Sequence, residues 1–170
     1  MNDNQVTAIH EAGHAVVNVV LGLPFVHVTA RTRGNVHFGP AMKLWSGPHL
    51  DLRYATSCMA GDAAVTLATG CRDRLAKTDH HNAVKALRDV VDEDQLNAAV
   101  ERAYRFAQVL VRERWSDVAA IAERLRRRQE LTYGEVLEVV GRQTRTERNS
   151  FGLVPPAPTH NRLTDPSNDC

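Results

Sequence analysis

The sequence predicts a mainly α-helical domain of the α+β class: a helical bundle with one small β-sheet or hairpin directly after the first helix. Three observations carry this expectation. Apolar residues recur at three- and four-residue spacing through several segments, the pattern of helices with one buried face. One short stretch, Phe25 to Arg31, switches to period two, the pattern of a half-buried strand. Apolar content is 43% and charged content 24%, an ordinary globular balance in a 170-residue chain that is long enough for a sizeable core.

The first helix is expected from about Gln5 to Leu21. Asn2, Asp3 and Asn4 offer N-caps, and Gly22 with Pro24 stops it. Val6, Ile9, Gly13, Val16, Val17 and Val20 make its inner stripe. A mid-helix glycine costs about 1 kcal/mol relative to alanine, so Gly13 implies that another backbone or a bound ion comes close. Val26, Val28 and Ala30 then alternate with His27, Thr29 and Arg31 as a strand. Arg33-Gly34-Asn35 reads as a turn, Val36-His37-Phe38 as a second strand, and Ala41 to Trp45 as a third or its continuation. An edge strand of such a sheet is suited to holding an extended peptide by main-chain pairing.

A long helix is expected from about Leu50 to Thr69, ended by Gly70. Its centre, Ala60, Gly61, Ala63 and Ala64, is small-sided, which suits tight packing on the first helix and reads as architecture, not chemistry. The polar connection Cys71 to Lys77 leads to a helix opened by Thr78-Asp79-His80-His81-Asn82, with Ala83, Val84 and Leu87 inward. Asp92 with Gln95 starts a longer helix, and Ser116 caps the next, whose end carries Arg124, Arg126, Arg127 and Arg128. Cations at a helix C-terminus complement its dipole. Thr132 and Glu135 form a capping box for a last helix ended by Gly141. The expected domain is therefore 1–142. Residues 143–170, with Pro155, Pro156, Pro158 and Pro166, read as a flexible tail.

Composition narrows the function classes. A net charge of +1 argues against nucleic acid as a partner. No apolar run is long enough to span a bilayer, and Met1-Asn2-Asp3-Asn4 lacks the basic start of a signal peptide. Cys58, Cys71 and Cys170 have no metal-ligand spacing and read as reduced thiols, which gives the expectation of a cytoplasmic protein.

The chemistry lies at His10-Glu11-Ala12-Gly13-His14, an H-E-x-x-H pattern on the first helix. Histidines four apart share a helix face, so both can reach one zinc ion, and the glutamate between them is placed as general base for the attacking water. A catalytic zinc needs a third protein ligand. The candidates cluster at Asp79, His80 and His81. By residue type a histidine is the better ligand, and an aspartate at a helix start also serves as an N-cap.

The chain resembles the peptidase domain of the FtsH-type ATP-dependent zinc metalloproteases. Val6 to Val17, V-T-A-I-H-E-A-G-H-A-V-V, is similar to that family's zincin-like H-E-A-G-H helix. Ala60-Gly61-Asp62-Ala63-Ala64 is similar to its A-G-R-A-A segment, with Leu67 to Gly70 as continuation. Thr78-Asp79 with Ala83 is similar to its S-D-x-x-x-A stretch, and Leu131 to Val136 to its closing capping motif. The resemblance runs over residues 5 to 141 and implies a zinc metalloendopeptidase. His10, His14 and Asp79 would be the ligands and Glu11 the catalytic base, with His80 as the alternative third ligand. Val65 stands where the family usually has a glutamate, which implies that polar support near the site is missing or replaced. These 170 residues hold no G-x-x-x-x-G-K-[ST] phosphate loop. The implied enzyme therefore cleaves flexible or unfolded protein segments without its own ATPase. Other implied roles are a regulatory protease for one partner, a non-catalytic zinc-stabilised binding module, and a subunit served by a separate ATPase chain. Oligomer formation stays open.

Overall fold

The structure is a computed structural model and describes residues 1–31, 35–37, 48–73 and 76–150. Helix α1 (Asp3–Leu21) starts at Asn2, where a full capping box forms. The Gln5 N–H donates to Asn2 Oδ1 at 3.0 Å, and the Asn2 N–H donates to Gln5 Oε1 at 2.9 Å. The helix ends at Gly22, whose φ of 68° lets its N–H cap the last carbonyls. Strand β1 (His27–Thr29) pairs antiparallel with β2 (Asn35–His37), Val28 facing Val36. This is the expected hairpin after the first helix. The expected strand at Ala41 to Trp45 lies outside the described residues.

Helices α2 (Pro48–Thr69), α3 (Lys77–Arg88), α4 (Leu96–Glu113) and α5 (Trp115–Arg128) follow, with a 3-10 turn at Glu93–Gln95. After α5 the chain adds a strand that periodicity did not announce. Strand β3 (Glu130–Thr132) pairs antiparallel with β1 on the side away from β2, Leu131 facing Val28. Three residues are too few to show alternation. Helix α6 (Tyr133–Ser150) closes the described chain. The Thr132–Glu135 capping box forms as expected, Thr132 N–H donating to Glu135 Oε2 at 2.8 Å.

Several boundaries differ from expectation. Helix α6 passes through Gly141, because a glycine weakens a helix by about 1 kcal/mol without forbidding it. Helix α5 begins at Trp115, so Ser116 lies inside its first turn. Asp92 precedes the 3-10 turn and makes no side-chain cap bond. The basic end of α5 is held by ion pairs as well as by the dipole: Arg126 and Arg127 meet Glu123, and Arg128 meets Glu135. Of the cysteines, Cys58 is a free buried thiol, whereas Cys71 is disulfide-bonded, which corrects its expected reduced state. Among the described residues no helix is long and apolar enough to cross a membrane.

Helix α1 is the hub. It packs mainly on α2 and α5, and α2 in turn carries α3 and α4. The α1–α2 contact is tight because Gly13 has no side chain. A Cβ there would stand 2.6 Å from the Ala60 carbonyl oxygen and 2.7 Å from Ala64 Cβ. Both neighbours are backbone or backbone-fixed, so relief requires the helices to part. Gly13→Ala tests this. Alanine's better helix propensity favours it by about 1 kcal/mol, and overpacking costs more. We expect a net loss of about 1–2 kcal/mol and a melting midpoint lower by roughly 2–8 °C. An unchanged or higher midpoint would show that the contact is slack.

Candidate metal centre

His10 and His14 lie one turn apart on the buried face of α1, their ring centroids 4.6 Å apart. Each ring is oriented through its Nδ1. His14 Nδ1 hydrogen-bonds the Ser57 backbone carbonyl of α2 at 2.7 Å, and His10 Nδ1 hydrogen-bonds Asp73 Oδ2 at 2.6 Å. Both acceptors are oxygens, so both Nδ1 atoms donate, and each Nε2 is the nitrogen available to a ligand.

The two Nε2 atoms converge. They stand 2.9 Å apart, with Asp79 Oδ2 3.0 Å from that of His10 and 3.4 Å from that of His14. Donor atoms about 2.0–2.1 Å from a tetrahedral ion stand about 3.3 Å from one another. The three separations match that triangle to within about half an ångström. Beneath it lies Gly61 of α2. A Cβ at that position would come within 2.6 Å of both Nε2 atoms. The missing side chain therefore leaves a cradle under the two Nε2 atoms. Two imidazoles and a carboxylate, with both imidazoles oriented through their Nδ1 atoms, fit a divalent ion such as zinc.

Asp79 sits in the first turn of α3, whose N-cap is Ala76, so it is not a cap. His80 and His81 are exposed, and the His10, His14 and Asp79 cluster includes neither of them. Glu11 is 4% exposed on α1. Its Oε2 is buried without a hydrogen-bond partner among the described residues. Burial pushes its carboxyl up from the usual range, against the opposing pull of His14 and His10.

Two residues of this centre had no sequence signal. Asp73 lies in the polar connection, with no periodicity around it, yet its side chain is only 3% exposed. Gly61 looked like helix packing, and a chemical role shows only when the imidazoles stand over it. Val65 is buried and apolar, so it gives the centre no polar contact, and the polar partner of His10 Nδ1 is Asp73.

Charge balance in the ion-free chain yields a prediction. Burial alone would lower the pKa of His10, but hydrogen bonds to Asp73 and Asp79 outweigh it and push it up to about 10. Burial alone would raise Asp79, but its bonds to His10 and His14 hold it well below the usual carboxylate range. At neutral pH an entering ion must therefore displace the His10 proton. Calorimetry at pH 7 in buffers of different ionisation enthalpy should show about one proton released per zinc bound. Affinity should fall about tenfold per unit of acidification. The ion-free protein has a raised folded-state pKa at His10. That contribution to stability is complete below pH 6.5 and lost as pH rises through about 10. Zinc uptake without proton release would contradict this balance.

No known protein-family profile matches the chain, and no curated protein is significantly similar to it.

Proposed function

We propose that the protein is a zinc-dependent metalloendopeptidase, built like the peptidase domain of the FtsH-type proteases and acting on flexible or unfolded protein segments. His10, His14 and Asp79 would hold the ion, which supplies polarisation of a carbonyl and acidification of water when bound. The observation that carries the proposal is the Glu11 carboxylate oxygen, buried beside the triad without a partner. A purely structural metal site gains nothing from such a group, because an unmet buried acceptor costs about 1–3 kcal/mol. A hydrolytic site needs it. Burial that raises the Glu11 carboxyl makes the carboxylate a stronger base towards the attacking water. Glu11 takes that proton and passes it to the leaving amine, so one side chain serves both halves of the proton transfer.

The test pairs metal content with turnover on an unstructured protein such as casein. Wild type and Glu11→Gln should each hold about one zinc per chain. Glutamine keeps the shape and removes the base, so cleavage should fall by about 10²–10⁴-fold. Asp79→Ala should lose most of its zinc and all cleavage. A Glu11→Gln variant as active as wild type would end this assignment. Zinc uptake without cleavage by wild type would turn the reading towards a binding module.

A further inference from the structure

We infer that Asp73 is the positioning residue of this centre, and that the buried Asp62, closed over by Arg72, holds Asp73 in place. The inference rests on the metal-centre reading and deepens it. His14 owes its orientation to a backbone carbonyl on a helix, which no substitution removes. His10 has no such support. Its Nδ1 is fixed by a side chain, the Asp73 carboxylate at 2.6 Å. A carboxylate on one imidazole nitrogen sets the tautomer and leaves the other nitrogen free to ligate. Here that other nitrogen is the Nε2 facing His14 and Asp79.

Asp73 belongs to neither a helix nor a strand, so something else must fix it. Its backbone N–H donates to Asp62 Oδ1 at 2.8 Å. Asp62 is 1% exposed on α2, and its Oδ2 stands 2.7 Å from the Arg72 guanidinium. The Thr66 hydroxyl, one turn further along α2, donates to Asp62 Oδ1 at 3.3 Å. Arg72 in turn lies 4.1 Å over the Tyr104 ring of α4, whose hydroxyl donates to Thr66 at 3.2 Å. Two successive loop residues are thus tied to one buried carboxylate, one by its backbone and one by its side chain. Asp62 is buried but the Arg72 side chain is 60% exposed, so the pair is partly solvated and a weak device for stability alone. Its use here is to place a loop.

The full chain, stripped of metal, is titrated with zinc against a chromophoric chelator. The variants are Asp73→Asn, Asp73→Ala, Arg72→Ala and the double variant Arg72→Ala/Asp73→Ala. Both Asp73 variants should bind zinc about 10–100-fold more weakly. Arg72→Ala should lose less, and the double variant should be no worse than Asp73→Ala, because Arg72 acts through Asp73. A spectroscopic readout separates positioning from general support. Zinc-loaded wild type with labelled histidine should show a protected His10 Nδ1–H signal, lost in Asp73→Ala and shifted in Asp73→Asn. Asp73→Asn keeps size and an acceptor oxygen, so it decides the matter if the alanine variant does not fold. Zinc affinity within twofold of wild type in the Asp73 variants, with the signal unmoved, would overturn the inference while the metal centre stands. A wild-type chain that takes up no zinc would overturn both.

Discussion

The distance between α1 and α2 governs this protein. Two glycines set it, and they do so for different reasons. Gly13 lets α1 lie against the Ala60 carbonyl, and Gly61 lets α2 lie under the imidazoles. At that separation the Ser57 carbonyl reaches His14 Nδ1, and the Ser57 hydroxyl donates to the buried Asn18 of α1 at 2.6 Å. A side chain at position 13 would strike the Ala60 backbone and prise the helices apart, whereas one at position 61 would strike both imidazole rings of α1 and push them out of place. Stability and chemistry thus share one contact but depend on different residues within it.

Electrostatics imposes the second constraint. Four carboxyl groups are gathered here in low-dielectric surroundings: Glu11, Asp62, Asp73 and Asp79. Buried carboxylates are expensive unless paired. Asp62 has Arg72, Asp73 has His10, and Asp79 has both histidines. Glu11 alone keeps an oxygen unmet. The carboxyl left with an unmet oxygen is the one proposed as the general base. A dication between His10, His14 and Asp79 would take over the role of the His10 proton, so the same geometry suits both the ion-free and the ion-bound chain.

What the sequence could reveal follows from how local each signal is. His10, Glu11 and His14 fall within five consecutive residues of one helix, so periodicity places them together without knowledge of the fold. The Thr132–Glu135 capping box is local in the same sense and forms, and of the three N-cap candidates at the start of α1 Asn2 is the one used. Asp79 lies 65 residues beyond His14. Residue type alone favoured a neighbouring histidine or a cap, and only a resemblance singled it out as a ligand. Asp73 was silent, because a lone aspartate in an irregular connection looks like any solvated loop residue. Strand β3 was silent because its pairing with β1 spans some hundred residues of chain. Helix α6 outran its expected end because Gly141 takes no left-handed conformation there, unlike Gly22 and Gly70.

Helix α2 contributes no ligand, yet it shapes the centre more than any other element. Every residue from 55 to 65 is buried, so different neighbours claim different sides of the helix. Ser57 and Gly61, one turn apart, face the histidines. Ala60 and Ala64, also one turn apart, receive Gly13. Asp62 and Thr66 hold the loop that carries Asp73. Three stripes at i and i+4 therefore do three tasks on one helix. A helix used on all sides has no single apolar face, so hydrophobic periodicity is weakest where the geometry of the site is decided. Its small residues read as packing because small residues are what both tasks require: close approach of a backbone at Ala60 and Ala64, and room for the two imidazoles at Gly61.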